Sequence, residues 1–360
     1  MTAKKSAKSK KLKHIPAGTI RIKVKDFKPY EKTKIGWRPA KREFPGAAHV
    51  IGLFKAHGNL NALIDAKDSR FLKGQLSPDG KCQGARINIL PDGRKLDKAY
   101  SLFADHLTIH DESSNDHWDV LYRNPGGTYS YVYTLEKKAK FTKRKYKEVE
   151  IFEKYYPTIE AVVIKALADE SDMMAVPMYT LLKTRMRVGN EMYYRAHGHK
   201  GLTTLKKNDI SVKGDSVTFR YLSKGGVPRE FTMEFPEIYI KRLRNMLKTK
   251  KPGDFVFTNK SGHPISDMQF KRAFERYCGH PFYPHIVRSY YATEKAKEFI
   301  SMHRSVEKKE LLEFYRFLAS ELGHKRFVKK EQEWKESYNV TIHHYIQPEM
   351  VDRLNALVKK

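Results

Sequence analysis

Several residue sets that commonly do chemistry are missing from this chain. No G-x-x-x-x-G-K-[ST] phosphate loop or G-x-G-x-x-G fingerprint occurs, which argues against nucleotide hydrolysis and dinucleotide chemistry. No H-E-x-x-H pair or EF-hand loop occurs either. His197 and His199, and His343 and His344, stand close together but lack cysteine or carboxylate companions at ligand spacing. No carboxylate set for paired magnesium ions can be picked out. Cys82 and Cys278 are too few for a disulfide scaffold or a cysteine-based zinc site, and their scarcity suits a reducing compartment. Neither metal nor cofactor is therefore expected. What remains is a large supply of arginine, lysine, histidine and tyrosine.

That supply is lopsided in charge. Lys plus Arg number 70 against 41 Asp plus Glu, a formal net charge of +29 over 360 residues. Such a surplus repels itself in a compact fold, so an anionic partner is expected. A membrane-surface protein would gather its charge on one amphipathic helix or juxtamembrane cluster. Here basic residues run from Lys4 to Lys360 and are interleaved with 21 Tyr and 19 Phe, which suits a groove along a phosphate backbone. General solubilising or ribosome-associated charge is the plainer alternative. No run approaches the about 18 apolar residues of a membrane span, and none follows the basic N-terminus as a signal peptide would require. A soluble, intracellular protein that meets polyanions, without a membrane partner, is expected.

Four stretches of the second half carry a more specific pattern. They are RMRVGNEMYYRAHGHKGLTTL at 185–205, YLSKGG at 221–226, PHIVRSYYAT at 284–293, and LGH at 322–324 followed by YIQP at 345–348. Together they resemble the type IB DNA topoisomerases, which carry an R-[IV]-G-N-E-x-Y segment, then G-L-T-T-L at about this interval, and a Y-I-H-P ending. Order and approximate spacing hold over residues 140–355, with a weaker echo at 118–120 and 131–141.

The resemblance implies five catalytic residues: Arg187, Lys224, Arg288, His324 and Tyr345. Breaking a DNA strand without a metal requires a protein nucleophile, and a tyrosine phenolate can form a covalent phosphotyrosine. Arg187 and Arg288 would hold the nonbridging oxygens, where transition-state charge accumulates. Lys224, before two glycines, would protonate the departing deoxyribose oxygen. His324 would complete the phosphate clamp. The product bond is again a phosphodiester, so rejoining needs no ATP. Gly189 and Gly201 are expected to serve backbone turns.

The resemblance also departs from its pattern. KRFVKKEQEWKESYNVTIHH separates His324 from Tyr345, and compact relatives place the tyrosine nearer. This charged interval reads as a short linker or helical extension and leaves Tyr338 as a rival nucleophile. The His285-x-x-Arg288 box and Leu-Gly-His also resemble tyrosine recombinases, which share the catalytic domain. The 201–205 segment and the Y-I-Q-P ending favour a topoisomerase acting as a monomeric clamp on double-stranded DNA. A site-specific recombinase or integrase, and a DNA- or RNA-binding protein that keeps only the fold, are the alternatives.

These residues need elements to hold them. Residues 1–14 hold six lysines and almost nothing apolar, and read as a disordered basic tail. Residues 15–136 mix strand signals at 20–24 and 117–133 with Gly and Pro punctuation, and read as a smaller, β-containing domain, which the resemblance implies would clamp DNA. A charged run at 137–147 leads into a helical pattern at 149–169, with a break or kink expected at Pro157. Further helices are expected at 178–192, 238–247, 267–278, 286–300, 306–322 and 349–358, with a β-meander at 208–235. The expected class is α+β: a mostly helical catalytic domain over 137–360 with one small antiparallel sheet.

Overall fold

The computed structural model describes residues 15–110, 118–328 and 330–359. The tail expected at 1–14 lies outside them, as does His117 at the start of the second strand signal. No helix among the described residues is long and apolar enough to cross a membrane. The class is α+β, as expected. The chain forms two compact units that divide between Lys143 and Arg144, somewhat beyond the boundary expected near residue 136.

The first unit is mainly antiparallel sheet. Strands β1 (Ile20–Ile22), β2 (Pro29–Lys32), β3 (Trp37–Pro39), β4 (Gln75–Leu76) and β5 (Cys82–Gln83) form one sheet in the order β3-β2-β1-β4-β5. A pair, β6 (Ile87–Ile89) and β7 (Lys95–Tyr100), and a three-stranded sheet, β8 (Asp105–Ile109), β9 (Val120–Arg123) and β10 (Tyr129–Val132), complete it. The Pro-Gly-Gly segment turns β9 into β10, as its residue types predict. Helix α1 (Pro45–Ala56) opens on a proline, whose missing N–H costs nothing in a first turn. It buries Val50 and Phe54 against Leu63, Ile87, Tyr100 and Val132.

Helix α2 (Leu135–Ala166) then runs without interruption, taking in the charged run and Pro157. The break expected at Pro157 does not occur. That residue lies on the solvent face, where a freed carbonyl can meet water, while Phe152, Ile159 and Val163 on the other face are fully buried. The second unit continues through α3 (Ala175–Thr184), α4 (Glu191–His197), the meander β11 (Ile210–Lys213), β12 (Ser216–Ser223) and β13 (Val227–Glu234), and α5 (Glu237–Lys248). It closes with α6 (Asp267–Cys278), α7 (Ile286–Met302), α8 (Lys308–Leu322), the hairpin β14 (Lys325–Val328) and β15 (Glu333–Glu336), α9 (Asn339–His344) and α10 (Pro348–Ala356).

Two expectations are corrected here. The helix read over 178–192 ends at Thr184, because Arg185 takes a left-handed conformation (φ 54°). Residues 186–188 then alternate, with Met186 and Val188 buried around a half-buried Arg187. The interval 325–344 is neither plain linker nor helical extension. Its first part pairs Phe327 with Trp334 across an antiparallel ladder, ring centroids 5.4 Å apart, and only its end is helical.

Phe152 anchors the main core of the second unit, with ring centroids 5.0 Å from Phe282, 5.9 Å from Phe274 and 5.2 Å from Tyr290. Phe152→Ala should therefore lower unfolding stability by about 3–5 kcal/mol, measured by urea denaturation.

Candidate active site

The R-V-G-N-E and G-L-T-T-L blocks are consecutive in sequence and also paired in space. Leu202 N donates to Arg187 O (2.8 Å), and Thr203 N to Val188 O (2.7 Å). The two backbones approach so closely that a Cβ on Gly201 would lie 2.5 Å from Arg187 O and 2.7 Å from Gly189 N. Gly189 itself sits at φ +100°, where side chains are strained. Asn190 caps α4 through Tyr193 N (2.9 Å). Arg187 is thereby carried on a stiff extended strap beside the meander. Lys224 is exposed at the β12–β13 turn, where Gly225 and Gly226 supply left-handed φ values of +81° and +76°. Arg187, Lys224 and His285 line one cavity of about 620 Å³.

Arg288 lies in the first turn of α7 and is only 2% exposed. Its Nη1 donates to Arg185 O (2.5 Å), and its Nη2 to Leu322 O (2.8 Å) and His324 Nε2 (3.0 Å). The left-handed Arg185 is what presents the first of these carbonyls. Arg185 is held in place by Glu321 (3.1 Å) and by stacking over Tyr291 (3.8 Å). Leu322 ends α8, and Gly323 (φ +66°) turns the chain so that His324 N returns to Ala319 O (2.7 Å). Arg229 on β13 donates to Ser320 O (3.1 Å) and fills the place a Cβ at residue 323 would need.

With Nε2 accepting from Arg288, His324 carries its proton on Nδ1, which donates to Thr341 Oγ1 (2.8 Å). Tyr345 follows α9 directly, and its hydroxyl lies 2.9 Å from His285 Nε2. The Arg288 guanidinium carbon sits 5.0 Å from the Tyr345 ring centroid, and the His324 ring 4.9 Å. Tyr338, the rival, is the N-cap of α9 and stacks on Tyr315 (6.1 Å). Arg187, Arg288, His324 and Tyr345 thus converge, and Lys224 shares a cavity with Arg187 and His285.

The electrostatics follow from burial among cations. Burial, then the charges of Arg288, Arg187, Lys145 and Lys224, lowers His285 to a pKa of about 3. Burial and the neighbouring arginines lower His324 to about 2. Both imidazoles are neutral at physiological pH. Burial lowers Arg288 to about 10, which still leaves it charged at pH 7. For Tyr345, burial opposes ionisation, but the neighbouring Arg288 and Arg187 guanidiniums outweigh it and hold the phenol below its ordinary value. No group of three or more His, Cys, Asp or Glu suited to a metal occurs among the described residues.

Comparison with known proteins bears on this arrangement. The family described as "Eukaryotic DNA topoisomerase I, catalytic core" matches residues 135–347, more than half of the chain. The chain belongs to this family. Among solved structures, it is similar to one described as "Crystal structure of XerH site-specific recombinase bound to difH substrate: pre-cleavage complex", with a TM-score of 0.32 and 16% identity over 47% of this chain. The match spans 44% of that chain, less than half its length. No curated protein matches the sequence at a significant level.

His285 was not among the five residues taken from the sequence, although the His285-x-x-Arg288 box was visible. Its hydrogen bond to Tyr345 brings it into the group. Lys145, whose Nζ lies 5.4 Å from the Tyr345 ring centroid, gave no signal, because it sits inside a long basic run.

The strap makes a specific demand on Gly201. Gly201→Ala places a methyl against backbone on two sides and should cost about 1–3 kcal/mol of stability. It should also reduce the yield of covalent protein–DNA adduct on a suicide duplex, by displacing the Arg187 backbone. Melting temperature and adduct yield, measured together, check this.

Proposed function

We propose that this protein relaxes supercoiled duplex DNA as a type IB topoisomerase, through a transient 3′-phosphotyrosyl intermediate and without ATP or metal. The observation that carries the reading is the Tyr345 hydroxyl resting on neutral His285 beside Arg288, within a chain of the topoisomerase I family. Tyr345, held by His285 Nε2 and with its ionisation favoured by Arg288 and Arg187, gives its proton to water and attacks phosphorus. The P–O5′ bond breaks, and Lys224 delivers a proton to the departing 5′-oxygen. Arg187 and Arg288 stabilise the nonbridging oxygens. Arg288 brings a charge that no carboxylate among the described residues cancels. His324 acts chiefly by fixing Arg288. The 5′-hydroxyl then reverses the sequence to reseal the strand.

In this reading residues 137–360 form the catalytic domain, residues 15–136 contribute to a monomeric clamp on double-stranded DNA, and the protein works wherever its DNA lies. The positive balance of the chain supports a phosphate-rich partner. The experiment that tests the function is relaxation of positively and negatively supercoiled plasmid in EDTA without ATP, at a low protein-to-DNA ratio. Relaxation of both signs supports it, because rotation about one nick releases torsion of either sense. Recombinant products at a defined site without relaxation would favour the recombinase reading, to which the H-x-x-R box also points.

Tyr345→Phe should abolish covalent capture while duplex binding stays nearly unchanged, since only the phenolic oxygen is lost. Tyr338→Phe should retain the adduct. Trapping on a nicked duplex and mapping the DNA-bearing peptide by mass spectrometry decides between them. Lys224→Ala should slow cleavage of an ordinary phosphodiester by about 100- to 10,000-fold, the usual contribution of a general acid. A substrate with 5′-bridging sulfur should be slowed far less, because sulfur departs without a proton. Equal slowing of both would assign Lys224 to binding alone.

A further inference from the structure

The carbonyls of Tyr345 and of the residues on either side of it are held by side chains from two helices. Helix α9 has six residues and ends at His344, and Tyr345 itself leaves helical geometry at φ −131°, ψ −30°. The carbonyls at such an end have no intrahelical partners. Here the carbonyls of His344, Tyr345 and Ile346 each find a side chain. Lys145 Nζ on α2 donates to His344 O. Thr293 Oγ1 on α7 donates to Tyr345 O (3.4 Å) and accepts from Gln347 N (3.2 Å). Tyr146 OH, next to Lys145 on α2, donates to Ile346 O (2.7 Å). Gln347 Nε2 donates to Glu150 Oε1, one turn further along α2 (3.0 Å).

We propose that Lys145 and Tyr146 are positioning residues for the nucleophile, gripping the carbonyls on either side of Tyr345 so that its phenol meets phosphorus in line. The inference rests on Tyr345 being the nucleophile. Two consecutive helical residues do not normally share a face. Both nevertheless reach this segment, Lys145 at the His344 carbonyl and Tyr146 at the Ile346 carbonyl.

Lys145 is an uneconomical choice for packing alone. It is half-buried between the faces of Tyr146 (4.8 Å) and Tyr345 (5.4 Å), with no carboxylate partner among the described residues. Burial lowers its pKa to about 8. The titratable or charged groups facing it are Tyr146 on its own helix, Tyr345 after α9, and His285 before α7. A methionine would fill the space without desolvating a charge. What a lysine adds is a donor for His344 O and a cation beside the phenol whose ionisation the reaction needs.

A nucleophile displaced by ~1 Å can lose about 100-fold in rate, so a two-point grip on its backbone has a measurable consequence. The test uses the full chain and a nicked suicide duplex, with Tyr146→Phe, Lys145→Met and Lys145→Arg beside the parent. Single-turnover cleavage and religation rates, duplex Kd, melting temperature and hydrogen exchange of the 341–347 peptide are read for each. Tyr146→Phe keeps the ring and removes one donor. It should slow both chemical steps by about tenfold or more and speed exchange of the peptide, at unchanged Kd and nearly unchanged melting temperature. Lys145→Met should do the same, and Lys145→Arg should regain much of the rate, because a guanidinium can also donate to His344 O.

Rates within about twofold of the parent for both Tyr146→Phe and Lys145→Met overturn the inference. Losses of rate matched by equal losses of duplex affinity overturn it too. A parent protein that forms no adduct overturns the nucleophile reading and this inference with it, whereas an active parent whose variants keep its rate overturns the inference alone.

Discussion

A guanidinium enclosed in protein without a carboxylate partner is the constraint around which the second unit is arranged. Arg288 is almost wholly buried, and its partners among the described residues are two backbone carbonyls and a neutral imidazole. Burying an unpaired charge is costly, and oriented carbonyl dipoles recover part of the cost but leave the charge uncancelled. Those dipoles have to be supplied. Arg185 adopts a conformation that costs a non-glycine residue about 1–3 kcal/mol, and α8 ends on a glycine because Arg229 occupies the space of a side chain there. The meander, the strap and α8 are tied together through these contacts. A phosphate is the anion that would cancel the charge, and Arg187, half-buried on its strap, adds to the same excess.

The same excess sets the protonation states around it. Burial first and nearby cations second strip the proton from an imidazole, so His285 and His324 fall, while the cations draw the Tyr345 phenol down despite burial. A neutral His285 can accept a hydrogen bond from the Tyr345 hydroxyl, while a neutral His324 can accept one from Arg288 and donate its own to Thr341. Two histidines of similar surroundings are therefore separated by their partners: one faces the tyrosine, the other is fixed between an arginine and a threonine.

Much of this was legible in the sequence, and the limits have physical causes. Helix α6 and the three strands of the meander followed directly from their periodicity and turn residues, because each buries a single face. Arg187, Arg288, His324 and Tyr345 were named from short blocks, and they are brought together by contacts spanning tens to a hundred or more residues in sequence. Local pattern failed where tertiary contacts override it. Met186 and Val188 look like one more helical turn until Arg185 turns left-handed, and Pro157 looks like a break until its solvent-facing position is known. The hairpin at 325–336 was hidden because its alternation is masked by charge, with Phe327 and Trp334 as its apolar pair.

That hairpin explains how residues 325–344 can separate two side chains in sequence without separating them in space. His324 and Tyr345 are joined through it in sequence, but their geometry does not pass along it. Ser337 N bonds His324 O (2.8 Å), so the excursion closes where it began, and Thr341 then accepts from His324 through its hydroxyl and from Tyr345 N through its carbonyl. One threonine thus ties the histidine to the tyrosine directly. Strands that leave and return through such a closure add loop entropy that grows only slowly with length. The spacing between histidine and tyrosine is consequently a poor guide to which tyrosine belongs to the site. The better guide is the residue that meets the closure, and here that residue leads to Tyr345 at the end of the same short helix.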